Sequence, residues 1–372
     1  MKKIASILLT LVLLAAFATA SAETSKGFIA VLDSDTGSID NVIFANSMRY
    51  LCGLAGYDVV FHPDTTYDAD SCIGFVEKQI AAGAKGLVFC PPSDSVLPAI
   101  VNLCNEAGVY WAIASRSIND DDIRAMVEAS QYYVGNCFQD EYVTGYTVME
   151  MLNDMGVKNI AIISTAKGNA SCDTRELAIA QACEDLGMSV LSEARNFTQP
   201  SEVAVACQSF LAAYEDLDAI FIVGTYALGA TDAACKAIVD AGRADQVKLA
   251  AVDFGLTQEL IADFESGVLK IDVISNRFVS VVCAAMVVNA CNGYDFDGQK
   301  VPAELEYTYV TDLQTATEMN EIYSDEGSMY LTDEGFKSLL KEYNPDLTSE
   351  VFVETIYNWD PVADAMSANQ AA

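Results

Sequence analysis

The chain has 372 residues, of which 52% are hydrophobic, so it is long enough for two domains of ordinary size, each with its own core. This composition excludes a disordered chain. The 53 acidic and 20 basic residues give a formal net charge of −33, which repels polyphosphates, so nucleic acid is not expected as a partner.

The first 22 residues have the pattern of an export signal. Lys2 and Lys3 precede a largely apolar run over 4–17, and a small-x-small pattern ends at Ala22. Cleavage after Ala22 is predicted, which places the mature protein in the periplasm or outside the cell. A membrane anchor is less favoured, because the apolar run is short for a membrane span.

After the signal, short apolar runs typical of strands alternate with longer runs whose apolar residues recur at helical spacing. The predicted strands cover residues 27–32, 57–61, 86–90, 109–114, 132–134, 159–163, 189–191, 219–223, 247–252 and 269–275. The predicted helices cover residues 42–55, 69–82, 96–107, 141–155, 173–186, 201–214, 227–241, 258–266 and 280–291. Each unit has the length that a right-handed βαβ crossover requires.

A polar break over 118–129 separates two successive sets of these units. The pattern predicts an α/β protein with two doubly wound, Rossmann-like lobes, each built on a parallel sheet. Alternation alone also fits a single eight-stranded barrel, which is the less favoured alternative. The last seventy or so residues are less regular and form an acidic tail with one clear predicted helix, at 332–342.

Polar side chains follow several predicted strands, where a parallel sheet places its functional loops. Those after the first and third strands include Asp35, Ser38, Asp40, Asn41 and Asp94. Ser93, Asp94 and Ser95 also offer helix N-caps, so capping competes with ligand contact at this corner.

Residues for catalysis are scarce. His62 is the only histidine, and the chain lacks the glycine-rich phosphate-binding patterns and the His-Glu-x-x-His zinc motif. With 53 acidic residues, pairs of carboxylates are common, so such a pair does not by itself indicate a hydrolase. Neither a cofactor nor a metal is expected, and the protein is predicted not to be an enzyme.

Eleven cysteines are present, an odd number without any Cys-x-x-Cys pair. Most of them lie within apolar patterns, where a free cysteine behaves as a small buried hydrophobe. Free buried thiols are therefore predicted, with one or two disulfides as the alternative.

A series of short segments has the order and spacing of one known family, although no single segment is specific. They are 56–57, 80–88, 92–95, 105–109, 227–230, 252–255 and 265–269, with Arg175 in the loop-helix between them. In these segments the chain resembles the periplasmic solute-binding proteins of the ribose and galactose type, whose fold is shared by lactose-repressor-like effector domains. The resemblance covers roughly Gly27 to Asp312.

The resemblance implies two lobes around a ligand cleft, joined by a hinge of three segments. The crossings are expected near Gly135, near Asn276 and near 309–311. The N-terminal lobe would then comprise 27–135 with 277–308, and the C-terminal lobe 136–275 with 309–319. Residues 320–372 would form an acidic extension, and one hypothesis is that it wraps across the hinge.

The resemblance also implies which residues bind the ligand. Guanidinium donors and carboxylate acceptors suit vicinal hydroxyl pairs, and the matching positions are Arg116, Arg175, Asp253 and Asn276, with Asp94 on the corner. Surface ion pairs remain an alternative for the two arginines, and helix capping for Asp253. The full candidate set is Asp35, Ser38, Asp40, Asn41, Asp94, Arg116, Arg175, Tyr226, Asp253 and Asn276.

Two departures from the family pattern affect the ligand, and one of them is Gly224-Thr225-Tyr226, which stands where the family often has Asn-Asp before its Ala-Leu-Gly. Asp40-Asn41 stands where ribose binders commonly have an aromatic pair, which argues against an ordinary pentose. Tyr226 or Trp111 would then supply the aromatic platform for a sugar face, although a tryptophan in a strand, as Trp111 is, more often belongs to the core. A cationic ligand could use Asp35 and Asp40, whereas a sugar acid could use both arginines.

The resemblance predicts a monomer that binds a small polar ligand, such as a sugar or sugar acid, and delivers it to the membrane permease of an ABC transporter. One alternative is a ligand-sensing subunit of a membrane receptor or chemosensory system. The other is an enzyme on the same scaffold.

Overall fold

The structure is a computed structural model that describes residues 25–33, 41–63, 68–253 and 259–359. The predicted export signal and its cleavage site lie outside these residues. None of the helices in the described ranges is long and apolar enough to cross a membrane.

The first lobe is built on a six-stranded parallel sheet in the order β11-β5-β4-β3-β1-β2. Its strands are β1 Phe28–Asp33, β2 Asp58–Pro63, β3 Gly86–Phe89, β4 Tyr110–Ala114, β5 Tyr133–Phe138 and β11 Val301–Glu304. Its helices are α1 Asn41–Leu54, α2 Ala69–Ala81, α3 Leu97–Ala107, α4 Asp121–Glu128 and α10 Phe278–Cys291.

The second lobe has a six-stranded sheet in the order β12-β10-β9-β8-β6-β7, parallel except for β12, which is antiparallel to β10. Its strands are β6 Asn159–Ser164, β7 Ser189–Arg195, β8 Ala219–Ile222, β9 Lys248–Asp253, β10 Leu269–Ile274 and β12 Thr308–Val310. Its helices are α5 Glu141–Asp154, α6 Ala170–Leu186, α7 Pro200–Ala213, α8 Ala230–Asp240 and α9 Leu260–Glu265.

The prediction of two doubly wound α/β lobes is therefore confirmed, and the single barrel is wrong. The polar break at 118–129 is not a linker, because it contains α4. The Asp120 side chain accepts hydrogen bonds from the backbone N–H groups of Asp122 and Ile123, both at 3.0 Å. The acidic residues of the segment 118–129 thus lie at the start of a helix, where negative charge is favourable.

The chain passes directly between the sheets at residues 139–140, 275–277 and 305–307. The first and third crossings differ by a few residues from the predicted positions. Gly135 lies inside β5 with φ of 149°, and a Cβ there would approach the carbonyl oxygen of Val301 to 2.2 Å. This glycine permits the pairing of β11 with β5, while Tyr309 belongs to β12 rather than to a crossing.

Helix α10 forms the centre of the first lobe. Nearly all of its side chains are buried, and it packs against β3, β4, β5 and α1, as expected for a helix that is apolar all round. A Cβ on Gly86 would lie 2.1 Å from Val287 Cγ1. The glycine at the start of the Gly86-Leu87-Val88-Phe89 strand therefore lets this helix approach the sheet.

The tail is more ordered than its sequence predicts. It contains α11 Leu313–Ser324, α12 Asp333–Ser338 and α13 Ser349–Tyr357, whereas a single helix at 332–342 was expected. Tyr330, Phe336 and Phe352 are almost fully buried, and α12 and α13 pack on α1 and β11. Helix α12 lies within the predicted segment 332–342, whereas α11 and α13 were not predicted, and long-range packing stabilises these helices.

Candidate functional site

The candidate site is the cleft between the lobes. Two crossings leave the carboxyl ends of strands, one from β5 into α5 and one from β10 into α10. The carboxyl edges of both sheets therefore meet at the hinge, and the loops that follow their strands line the space between the lobes. This is where ligands bind in open parallel sheets.

Gln139 joins the three hinge crossings, although the sequence gives no sign of it. This side chain is 3% exposed. Its Oε1 accepts hydrogen bonds from Ser275 Oγ at 3.2 Å and from the Asn276 N–H at 3.0 Å, and its Nε2 donates to the Glu306 carbonyl at 3.0 Å. One buried amide thus connects the first crossing to the second and the third.

Asn276, a predicted ligand contact, lies in the second crossing and is buried. Its Oδ1 accepts a hydrogen bond from the Phe278 N–H at 2.9 Å, which satisfies a free donor at the start of α10. Its Nδ2 has no partner among the described residues and is the atom that it could offer to a ligand.

Arg175, the next predicted contact, is 7% exposed and belongs to a buried network. Glu141 Oε2 accepts from Arg175 Nε at 2.7 Å and from Nη2 at 2.6 Å, and the Val223 carbonyl accepts from Nη1 at 2.7 Å. The Tyr307 hydroxyl accepts a hydrogen bond from Arg175 Nη2 and donates one to Glu141 Oε2, each at 3.0 Å. The alternative of a surface ion pair is therefore wrong for Arg175.

The charge of Arg175 is balanced inside the lobe. Burial by itself lowers the pKa of Arg175, but the negative charge of Glu141 outweighs it and raises that pKa above its ordinary value. Among the described residues, one Nη1 hydrogen has no acceptor. A Cβ on Gly224 would lie 3.4 Å from this nitrogen and 2.7 Å from Cys172 Sγ, so the glycine in this loop permits the close approach.

Arg116 lies at the corresponding edge of the first lobe and is also buried. Its Nη1 donates to the Pro91 carbonyl at 2.7 Å, while Asn136 Nδ2 donates to the Arg116 carbonyl at 3.0 Å. Ser115 precedes it with φ of 65°, a left-handed conformation that is uncommon outside glycine. The turn after β4 is thus held between the ends of β3 and β5, and Arg116 is buried there rather than exposed on the surface.

Asp94 connects two loops at this edge. Its Oδ2 accepts from the N–H groups of Asn119 at 2.8 Å and Asp120 at 2.9 Å, which fixes the approach to α4. Ser93 and Ser95 hydrogen-bond to each other through their hydroxyls at 2.7 Å. The corner after β3 is therefore stabilised by contacts within the lobe, and its role toward a ligand stays a prediction.

Asn41 is the first residue of α1, and Arg277 Nη1 from the second crossing donates to its Oδ1 at 2.5 Å. The Arg277 guanidinium also lies 4.1 Å from the centre of the Phe44 ring. Arg277 was not predicted from the sequence, where its position directly after Asn276 was the only available signal. Asp35, Ser38 and Asp40 lie outside the described residues, as does the side chain of Asp253, which ends β9.

The two proposed aromatic platforms lie in different environments. Trp111 is fully buried in β4 and stacks on Phe89, with ring centres 5.7 Å apart and planes at 11°. The prediction that Trp111 forms a platform in the cleft is wrong, because its ring is packed in the core. Tyr226 is 43% exposed in the loop after β8, and its hydroxyl accepts from Asn169 Nδ2 at 2.9 Å.

A charged cluster at the carboxyl ends of β6 and of the edge strand β7 was not predicted. Glu176 Oε1 lies 2.5 Å from Ser164 Oγ, and both oxygens of Glu176 accept from Arg195 at 2.7 Å. Lys167 also pairs with Glu176. Burial favours the neutral acid, but the bonds from Arg195, Lys167 and Ser164 outweigh it and lower the pKa of Glu176 to about 2.

Two cavities of about 240 and 320 Å³ lie at the amino ends of the first lobe's strands, near Lys300 and near Asn292. Neither contains a predicted site residue. The described residues contain no group of three or more His, Cys, Asp or Glu placed to hold a metal. All eleven cysteines are free, and eight of them are buried.

Comparison with known proteins gives a consistent picture. A family described as "periplasmic binding protein domain" matches residues 18–295. A search of curated proteins found no match.

Many solved structures share the fold, among them the following three. An ABC transporter solute-binding protein from Bacillus halodurans C-125 with bound myo-inositol has a TM-score of 0.64 and 20% identity, covering 81% of this chain and 99% of that one. A solute-binding protein from Actinobacillus succinogenes 130z with bound D-allose has a TM-score of 0.65 and 16% identity, covering 78% of this chain and 99% of that one. A solute-binding protein from Agrobacterium vitis with bound α-D-tagatopyranose has a TM-score of 0.63 and 15% identity, covering 78% of this chain and 96% of that one.

Proposed function

Because the chain belongs to the family of periplasmic binding protein domains, as the resemblance in its sequence predicted, we propose that it is an exported solute-binding protein for a neutral cyclic polyol or sugar. Its lobes close on the ligand, and the closed protein delivers it as a monomer to the permease of an ABC transporter. The family and its structural neighbours are binding proteins rather than enzymes.

The observation that carries this proposal is the arrangement of buried guanidinium groups at the carboxyl edges of both sheets. Arg116 lies at the edge of the first lobe, and Arg175 lies at the edge of the second with Glu141 beside it. Neighbouring hydroxyls on a ring can accept from guanidinium N–H groups and donate to a carboxylate. Asn276 lies between the lobes and adds an amide donor.

A neutral ligand is favoured over a sugar acid. Glu141 already compensates the charge of Arg175 at 2.6 Å, so a ligand carboxylate would compete with a buried ion pair. The ligands of the three neighbours, myo-inositol, D-allose and α-D-tagatopyranose, are neutral and carry several hydroxyls. Tyr226, which is 43% exposed in the loop after β8, offers an aromatic ring to pack on the apolar face of such a ligand.

The test is a thermal-shift screen of the purified mature protein against cyclitols, hexoses, pentoses, sugar acids and amino acids. A ligand that binds only the folded state should add about 2.7 kcal/mol of stability at a hundred times its dissociation constant. We expect neutral rings to raise the melting temperature and the matching uronic acids to have little effect. A panel that leaves the melting curve unmoved would remove the support for solute binding, whereas a response to acids alone would overturn the neutral ligand.

A further inference from the structure

We propose that helix α11 is a fourth crossing between the lobes and limits how far they open. Three short crossings form the hinge described above, and the chain then passes between the lobes once more as a helix. The inference rests on the two-lobed fold and does not depend on which solute is bound.

The chain before α11 belongs to one lobe, and the chain after it lies on the other. Strand β12 belongs to the sheet of the second lobe, where it pairs with β10. After α11, the chain lies on α1 of the first lobe: Asn46 Nδ2 donates to the Glu326 carbonyl at 2.8 Å, and the Tyr330 N–H donates to Ser47 Oγ at 2.8 Å. The chain therefore enters α11 from one lobe and leaves it on the other.

Helix α11 packs on both lobes through one apolar face. This helix contacts both α9 of the second lobe and α1 of the first. Its buried side chains Ala316, Met319 and Tyr323 recur at helical spacing and so share one face. They belong to a single apolar cluster that also contains Leu260 of α9 and Ile43 of α1. A continuous apolar cluster between two lobes resists their separation, because opening exposes it to water.

Both ends of α11 are tightly held. Only Thr311 separates β12 from the N-cap residue Asp312, whose carboxylate accepts from the Thr315 N–H and hydroxyl, each at 2.9 Å. Beyond the helix, Tyr330 packs on Phe278 with ring centres 5.4 Å apart. A helix of 12 residues spans about 18 Å. With such short connections it acts as a strut, and opening must break its contacts with α1 or α9.

The strut lies outside the part of the chain that defines the family, since the family match ends at residue 295. By restricting the open states, α11 would lower the conformational cost of closing and slow the release of a solute.

The test measures opening in the full mature chain without ligand, by small-angle X-ray scattering. The double variant Met319→Ser/Tyr323→Ser removes the apolar face of α11. Phe352→Ser is the matched control, because it removes an equally buried tail side chain from α13, which packs on β11 within one lobe. Circular dichroism establishes that each variant is folded.

We expect the double variant to have a larger radius of gyration and a broader distance distribution than the wild type, and the control to match the wild type. A folded double variant with the wild-type distribution would overturn the proposal. Should the double variant fail to fold, Met319→Ala is measured in the same way, with the same two outcomes. Because no solute is present, the result is independent of the solute-binding proposal.

Discussion

The side-chain oxygen of Gln139 accepts a hydrogen bond at 3.0 Å from the backbone N–H of Asn276, a residue 137 positions further along the chain. The side-chain nitrogen of Gln139 donates to the Glu306 carbonyl, 167 positions away. These bonds hold the hinge crossings side by side, so that the crossings bend together. A buried amide with partners on every crossing therefore helps to set the path of lobe closure.

We expect Gln139→Leu to lower the free energy of unfolding by about 1 to 3 kcal/mol, because it leaves a buried N–H and a buried carbonyl without a partner. The variant should also broaden the range of lobe openings. Urea denaturation measures the first effect, and scattering of the ligand-free protein measures the second.

Asn289→Leu is the matched control for Gln139→Leu. Asn289 is a buried amide within the first lobe that donates to the Ala285 and Leu339 carbonyls and accepts from the Lys341 N–H. Its replacement should cost a similar stability and leave the openings unchanged. An equal broadening in both variants would show that general loosening, and not the hinge contact, is the cause.

We expect Arg175→Met to destabilise the protein by about 3 to 5 kcal/mol, since it leaves the Glu141 carboxylate buried without its cation. The double variant Arg175→Met/Glu141→Gln should recover much of that loss. Chemical denaturation of the single and double variants measures both effects. If the double variant is as unstable as the single one, the ion pair is not the source of the effect.

Ligand affinity is best measured on the same double variant. A folded double variant that binds the best solute of the screen with unchanged affinity would contradict a ligand role for this pair. An effect seen only in the single variant would instead report loss of stability.

The sequence predicted the alternation of strands and helices well because buried parallel strands and amphipathic helices carry local apolar patterns. The resemblance also placed Arg116 and Arg175 at the carboxyl edges of the two sheets. Trp111 was ambiguous, since an aromatic residue in a strand suits either a core or a platform, and the core was correct.

The hinge and the networks around it could not be predicted, because their partners are far apart in the chain. Arg175 meets Tyr307 across 132 positions, and no local pattern indicates such a contact. Glu141 was likewise one carboxylate among the 53 acidic residues. Helices α11 and α13 of the tail were missed for a related reason, since α11 packs on α1 and α9, and α13 packs on β11, all of them distant in the chain.

The cysteines should react slowly with a thiol reagent in the native protein. Burial raises the pKa of Cys104 and of Cys207 to about 12, so little thiolate forms at neutral pH. We expect few of the eleven thiols to react with Ellman's reagent under native conditions and all eleven to react in concentrated urea. Fewer than eleven in urea, restored by a reductant, would instead establish the disulfide alternative.

Asp263 should make the protein less stable as the pH rises. Burial, followed by the nearby charge of Asp232, raises the pKa of Asp263 to about 7. The unfolded chain releases this proton near pH 4, so between about pH 4 and 7 the unfolded state binds fewer protons than the native state. The free energy of unfolding therefore falls across this range as the buried carboxyl is forced to ionise.

We expect Asp263→Asn to remove this penalty and to be more stable than the wild type at pH 8, with the difference shrinking toward pH 4. Urea denaturation at a series of pH values measures it, and Asp245→Asn, at an exposed aspartate, serves as the control. The neutral amide keeps the size of the side chain but cannot ionise, so only the proton-linked part of the stability should change. A constant difference between variant and wild type at every pH would contradict the assignment, since packing does not titrate.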